Sequence, residues 1–245
     1  ILRNYQLYEM LKKDLSKNKF FKKKYLNFNS SLIKNYEIVI ITDYSHIFTK
    51  KFFSKKIIKK YKGLAYTTIV KHKKIPNITA TQIFTKNGPL AFLPISQNET
   101  SIVYSFGDNQ NVQKENVENL IKNYNFKYKI NKFPSVNSFE LQSISLRSYY
   151  QGKFLAFGDL LHRIHPLAGQ GFNMTIRDIK ILLDIIKKKN SLGLSLDSSV
   201  NKEFEKMLKH KNLIFSNGID VIHEFFNFER KTKNTFLSKT IQYLG

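Results

Sequence analysis

Between Lys153 and Asn173 the chain changes character three times, and the order of those changes restricts what it can fold into. Lys153 to Phe157 is a short, mostly apolar run of the length of a strand. Gly158-Asp159 closes it with a lone carboxylate. Pro166 and the pair Gly169 and Gly171 then make a second turn. From Gly171 to about Lys187, the residues Ile176, Ile179, Leu182, Leu183 and Ile186 recur at helical spacing as one apolar stripe. A strand that ends in an acid and passes through glycines into a long amphipathic helix belongs to an α/β layer, with its ligand at the carboxyl end of the strand.

The same residues say what that ligand is like. An ionised carboxylate at Asp159 needs donors, and sugar or ribityl hydroxyls supply them. Gly169-Gln170-Gly171 lets backbone come close to a ligand. The amides of Gly171, Phe172 and Asn173 open a helix and have no helical acceptors. They suit a partly negative ring edge, and a helix start facing a flavin pyrimidine favours its reduced, more negative form. Pro166 fixes the backbone before the turn and offers a carbonyl to the ring face. His162 and His165 are the one close pair among six histidines and have no third ligand nearby, so no metal is expected. Structural roles fit them better than proton transfer: His162 bonded to a neighbouring loop, His165 packed near the cofactor.

The rest of the chain supplies two further textures. Residues 4–17 carry Leu7, Met10, Leu11 and Leu15 at helical spacing, and a basic linker follows. Glu37 to Ile41 is a continuous apolar run, as in a buried parallel strand, and it ends at Thr42-Asp43, where a ligand-facing loop begins. From Gly63 the pattern becomes that of an antiparallel sheet. Strands are expected at 64–70, 79–84, 90–94, 101–106 and about 139–147, with Asn87-Gly88 as a hairpin signal. Pro89 and Pro94 bracket the third of these, which predicts a short or edge strand. A helix around Val112 to Tyr124 is expected, capped by Asp108 or Asn109. Ser191 to Ser199 reads as a loop, and Phe204 to Phe226 as a helical tail that Gly218 breaks or kinks.

The expected fold class is therefore mixed α/β: a split domain with an antiparallel sheet inserted between its halves and helices at the end. Its parts are 1–62, the first part of the ligand-binding domain; 63–150, the antiparallel sheet; 151–190, the second part; and 191–245, the helical region.

Composition narrows the partners. Lys and Arg number 41 against 18 Asp and Glu, a formal charge of +23. Only five of the basic residues are Arg, the side chain that reads nucleic acid in bidentate fashion, and the lysines are spread along the chain. Lys, Asn, Ile, Phe and Tyr, all with A/T-rich codons, are abundant and Trp is absent, so the charge reads first as codon bias. An anionic membrane surface is compatible with it, and a nucleic-acid partner is not expected. There is no Cys, which excludes disulfides and thiolate metal sites. No apolar run approaches the ~18 residues of a membrane span.

Gly158-Asp159, His162, His165-Pro166-Leu167-Ala168-Gly169-Gln170-Gly171, Asn173 and Arg177-Asp178 together resemble the second FAD fingerprint of aromatic-ring flavin monooxygenases, and most closely the ubiquinone-biosynthesis hydroxylase family. Asn87-Gly88-Pro89-Leu90-Ala91-Phe92-Leu93-Pro94, with Gln82 and Phe84 upstream, resembles that family's substrate sheet. Ser101 to Ser105 resembles the strand after it, and Ile1 to Leu11 the helix before the second half of its FAD domain. The resemblance implies a para-hydroxybenzoate-hydroxylase-like FAD-binding domain with an inserted substrate-domain sheet. It implies FAD as cofactor and NAD(P)H and O₂ as co-substrates. It also implies hydroxylation of a lipid-soluble polyprenylphenol or quinone precursor, with other ubiquinone-biosynthesis proteins as partners. The corresponding location is cytoplasmic and peripheral at a bacterial inner membrane, or on the mitochondrial matrix face.

Cofactor contacts are then expected from Gly158, Asp159, Pro166, Gly169, Gln170, Gly171, Phe172, Asn173 and Asp43. No catalytic residue is assigned. Two departures stand out. The GxGxxG unit that opens the family does not occur in this sequence, and the family's Asp-Gly near the NAD(P)H path reads Asp43-Tyr44, which predicts a rearranged loop. The alternatives are a flavoprotein reductase of the same fold and a degenerate, non-catalytic family member.

Overall fold

The computed structural model describes residues 3–24, 33–106, 114–163 and 170–232. Along the chain these form α1 (Asn4–Ser16), β1 (Val39–Ile41), α2 (Ile47–Phe52), β2 (Lys56–His72), β3 (Thr81–Thr85), β4 (Gly88–Ser96), β5 (Glu99–Phe106) and α3 (Lys114–Tyr124). There follow β6 (Ile130–Lys132), β7 (Asn137–Leu146), β8 (Tyr150–Gln151), β9 (Phe154–Ala156), a one-turn 3₁₀ helix (Gly158–Leu160), β10 (His162–Arg163), α4 (Gln170–Ser191) and α5 (Ser198–Thr232). They fall into two compact units, one of Ile1–Asn29 with Lys62–Glu140, the other of Ser30–Tyr61 with Leu141–Gly245. The amino-terminal helix thus groups with the antiparallel sheet, whereas the sequence reading places it with the ligand-binding half.

In the first unit β5 pairs antiparallel with β2 on one side and β4 on the other, β4 pairs with β3, and β6 pairs with β2. Alternate residues point to one face. Leu90 and Phe92 of β4 and Ile102 and Tyr104 of β5 are buried there with Tyr66 and Val70, and Val117 and Ile121 of α3 belong to the same core. The hairpin at Asn87-Gly88 is present, with Thr85 opposite Gly88. Gly88 has φ +139°, and a Cβ on it would lie 2.2 Å from the carbonyl oxygen of Ser105, so only glycine fits.

The expectation that the two prolines mark a short or edge strand is corrected here. β4 has nine residues and lies between β3 and β5. The ladder tolerates both prolines because each stands opposite a residue of one neighbouring strand at an end of the other ladder, Pro89 opposite Phe84 of β3 and Pro94 opposite Thr100 of β5. Pro89 follows the turn, and Pro94 lies at a register shift beyond Phe92, the last residue of β4 opposite β3. The cap expected at Asp108 or Asn109 lies outside the described residues.

In the second unit β1 pairs parallel with β9, Val39 opposite Phe154 and Ile41 opposite Ala156, and β8 folds back antiparallel on β9. Parallel pairing agrees with the sequence, but full burial does not: Ile41 is buried while Ile40 is half exposed, because only one face of this strand is covered among the described residues. The core joins Phe53, Leu146, Leu155, Leu160 and Leu161 to Leu182 and Ile185 of α4 and to Val200, Phe204 and Leu208 of α5. Burying each such side chain contributes about 1.5–3 kcal/mol. α5 runs unbroken through Gly218, so the expected break there does not occur. The short helix α2 has no counterpart in the sequence reading: His46 caps it, its Nδ1 accepting from the backbone N–H of Phe48 at 3.3 Å.

α4 exposes a different face from the one its sequence suggests. Ile176, Ile179 and Leu183 are 40–50% exposed, and the buried line is Met174, Asp178, Leu182 and Ile185. A charged residue in the middle of a buried stripe breaks the apolar pattern by which such faces are read, and the reason it is tolerated lies in the site.

Candidate functional site

The site is built in the second unit, where β9 ends. Phe157 is still extended, and its amide donates to the carbonyl of Ile41 at 2.9 Å, which holds the end of β9 beside the end of β1. The chain then turns sharply. Gly158 adopts φ +64°, a conformation that favours glycine, and Leu161 donates back to its carbonyl at 2.9 Å. Leu160 and Leu161 are driven into the core on the inner side of this turn, which throws Asp159 outward. Asp159 is exposed, and no described side chain hydrogen-bonds its carboxylate. An acid fixed at a strand end, flanked by fully buried leucines and left without a partner among the described residues, is set out for an external donor.

Asp43 is different. Its carboxylate accepts from the Ser45 backbone N–H at 2.8 Å and from the Ser45 hydroxyl at 2.8 and 2.9 Å. These bonds, the backbone one foremost, hold the carboxyl below its usual range. The backbone carbonyl of Asp43 accepts from the Thr49 hydroxyl at 2.5 Å, tying the loop to α2. Tyr44, where the resemblance calls for a glycine, makes the link that joins the loops after β1 and β9. Its hydroxyl donates to the backbone carbonyl of Asp159, and the guanidinium of Arg163 lies 5.1 Å from its ring centroid. Burial pushes the Tyr44 hydroxyl up from its ordinary value, so it remains a donor. The residue that looks disruptive in the sequence fixes the turn that carries Asp159.

The third part of the site is α4, the helix against which the Gly158–Leu160 turn packs. The helix begins at Gln170. Phe172 and Asn173 are exposed, and nothing among the described residues lies within 4 Å of where a Cβ on Gly171 would stand. A 22-residue helix thus presents its N–H end, the positive end of its dipole, beside open space. Pro166, Gly169 and His165 lie outside the described residues, as does the side chain of Gln170.

His162 is not bonded to a loop, as the sequence reading has it. Its Nε2 lies 2.7 Å from Oδ2 of Asp178 on α4, with the two side chains 4% and 0% exposed. Asp178 Oδ1 accepts from Arg177 Nε at 3.1 Å and from an Arg177 terminal nitrogen at 2.8 Å. Arg177 reaches the side-chain oxygen of Asn212 on α5, and Asn212 donates to the Tyr149 hydroxyl at 3.3 Å. Burial pushes that hydroxyl up as well. This network explains the buried charge on α4. Only its Arg-Asp pair is visible in the sequence, because its members lie far apart along the chain. No group of three potential metal ligands exists among the described residues.

A carboxylate for hydroxyl groups, a backbone cradle for a ring edge and a helix dipole next to it fit the ribityl and pyrimidine parts of a flavin. The comparisons bear on the cofactor itself. Residues 60–188 match a family described as FAD binding domain. The 3-demethoxyubiquinol 3-hydroxylase of Escherichia coli K12 is 29% identical over 159 residues, which cover 62% of this chain and 41% of that protein. The chain therefore spans about two-fifths of the length of that relative. A probable FAD-dependent monooxygenase of Pseudomonas aeruginosa, pqsL, superposes with a TM-score of 0.58 at 16% identity over 79% of this chain and 57% of that one. HpxO of Klebsiella pneumoniae, complexed with FAD and uric acid, gives 0.56 at 12% identity over 79% and 56%. At these identities the structural matches establish the fold.

Proposed function

This chain belongs to the FAD binding domain family, and on that premise we propose that it is the flavin-holding and substrate-sheet portion of an FAD-dependent monooxygenase that hydroxylates the aromatic ring of a polyprenylphenol or quinone precursor in ubiquinone biosynthesis. The observation that carries the reading is the exposed carboxylate of Asp159, without a partner among the described residues, on a turn that packs against α4. Bound FAD supplies the redox and oxygen chemistry, with NAD(P)H as the electron source and O₂ as oxidant.

The chain's own residues hold and tune it. Asp159 accepts hydrogen bonds from ribityl hydroxyls. The peptide N–H groups of Gly171 and Phe172, with Asn173 next to them, face the pyrimidine edge, and the helix field favours the reduced ring. Gly158 gives the turn its shape, while Pro166 and Gly169 keep the cofactor contacts that the fingerprint implies for them. Gln170 opens the helix. Asp43, engaged with Ser45, holds the loop next to the turn. The antiparallel sheet of the first unit carries the substrate. Two features support a lipid-resident one. The relative in Escherichia coli is named for a ubiquinol, and a formal charge of +23 favours docking on an anionic bilayer. No described helix is long and apolar enough to cross a membrane, so docking is peripheral in this reading.

The test is Asp159→Ala in the full-length protein. Because the carboxylate touches no described side chain, the melting temperature should stay within a degree or two, while the dissociation constant for FAD rises by about one to two orders of magnitude, the loss of charge-assisted hydrogen bonds. Flavin fluorescence quenching measures it. Unchanged FAD affinity would overturn the assignment of this site.

A further inference from the structure

The flavin reading uses two contact groups on two separate pieces of chain, the acid of the Gly158–Leu160 turn and the N–H groups at the start of α4. Something must set the distance between them, since a flavin spans both. We propose that the His162–Asp178 pair does so: it is a positioning device that fixes the amino end of α4 against the Asp159 turn, and thereby sets how much better the site holds reduced than oxidised flavin. The inference rests on the flavin reading and goes beyond it by naming what tunes the cofactor's potential.

The argument is geometric. His162 follows Asp159 by three residues and is held in β10, paired opposite Ser145 of β7. Asp178 lies seven residues after Gly171, about 10 Å along α4 at ~1.5 Å per residue. The 2.7 Å bond between these buried side chains joins the two pieces directly. If α4 slipped by one residue, Asp178 would move ~1.5 Å along the axis and ~100° around it, and the bond would be lost.

The far side is fixed as well. Arg177 holds the second oxygen of Asp178 and reaches Asn212 on α5, which bonds Tyr149, whose amide donates to Glu205 at 3.0 Å. Asp178 therefore has one oxygen for the turn and one for the helix pair, and cannot rotate to favour either. A buried pair of this kind adds little net stability, since desolvation offsets most of its attraction. What it adds is a single geometry.

A dipole effect is confined to the first turn of a helix and falls off steeply with distance. Displacing α4 by an ångström or so weakens the hold on the more negative, reduced ring more than on the oxidised one. Losing the Asp159 contact to ribityl hydroxyls, which do not change on reduction, weakens both equally.

That difference is the test. In the full-length protein, FAD affinity is measured by fluorescence quenching, and the midpoint potential of the bound flavin by dye-coupled reduction. His162→Ala and Asp178→Asn should weaken oxidised FAD about tenfold and reduced FAD about a hundredfold. The extra factor of ten lowers the potential by ~30 mV for the two-electron couple. Asp159→Ala should leave the potential where it is. His162→Gln, which keeps an N–H donor for Asp178, should recover most of the loss. Variants that bind FAD with the wild-type potential overturn the positioning role alone, as does His162→Gln with the full deficit of His162→Ala. Wild-type protein that binds no FAD overturns the flavin reading itself and this inference with it. Should the alanine variant fail to fold, the wild type carries its own check by nitrogen-15 NMR of the His162 ring: its resonances should shift on adding FAD, and unmoved resonances count against the proposal.

Discussion

Two carboxylates near the same strand ends, Asp43 and Asp159, look alike in sequence and differ in the folded chain. Asp159 points outward with nothing to bond among the described residues, whereas Asp43 is engaged by Ser45. Those bonds are stronger to the ionised carboxyl, so its folded value lies below 3.8. The linkage has a fixed sign. The stabilisation is fully present above 3.8 and is lost as pH falls further, through the lowered folded value. Ser45→Ala removes the hydroxyl bonds and keeps the backbone one, the larger cause. Carbon-13 NMR of the Asp43 carboxyl should therefore show a titration midpoint moved part of the way toward 3.8. An unmoved midpoint shows that the hydroxyl contributes nothing. At this scale the sequence reveals residue types better than partners. The positions of Asp159 after β9 and of Gly171 and Phe172 at the start of α4 are legible because glycines and a strand end mark them. Tyr44 reads as an obstacle in sequence, because its value depends on a carbonyl 115 residues away.

The elements are more legible than the residues wherever a local rule governs them. The Asn87-Gly88 hairpin follows from backbone geometry, and its glycine is the most exposed to test. Gly88→Ala forces a Cβ to within 2.2 Å of the Ser105 carbonyl oxygen at φ +139°. The expected cost is about 2–4 kcal/mol, since both the backbone and the neighbouring strand must shift. Urea unfolding measures it, and a loss below about 1 kcal/mol would show that β5 yields at that point. Sequence and structure part where a tertiary partner outweighs the local rule. Pro89 and Pro94 predict an edge, but an inner strand also offers places where one of its two ladders ends while the other continues. The apolar stripe of α4 runs around Asp178 in the sequence because a lone acid seldom faces a core. With His162 and Arg177 supplying its partners, the helix instead buries Met174, Asp178, Leu182 and Ile185 and turns Ile176, Ile179 and Leu183 outward. Hydrophobic periodicity gives the existence of a helix, and the choice of face needs the partner's identity.

For the whole molecule the dominant quantity is charge. A formal +23 on 245 residues means that Lys and Arg, 41 in all, outnumber the 18 acids by more than two to one, so over half of the basic groups cannot be paired one to one. The pairs that do form, such as Lys209–Glu205, Lys189–Glu203 and Lys59–Asp220, involve exposed or part-exposed groups and are worth about 0–1 kcal/mol each. Folding brings the unpaired ammonium groups closer together than they are in the expanded chain, so self-repulsion penalises the native state. Salt acts on the two terms in opposite directions. It weakens the few surface pairs, which destabilises, and it screens repulsion among many like charges, which stabilises. The screening length falls from ~30 Å at 0.01 M to ~8 Å at 0.15 M ionic strength, a range that removes repulsion between distant lysines while leaving contacts at about 3 to 4 Å partly intact. Repulsion should therefore win. Raising sodium chloride from about 0.01 to 0.15 M should lift the melting temperature by about 2–5 °C, the equivalent of roughly 1 kcal/mol for a chain of this size. Calorimetric or circular-dichroism melts at matched pH measure it. A melting temperature that falls with salt would mean that paired charges dominate, and the argument from net charge for docking on an anionic bilayer would lose its physical basis.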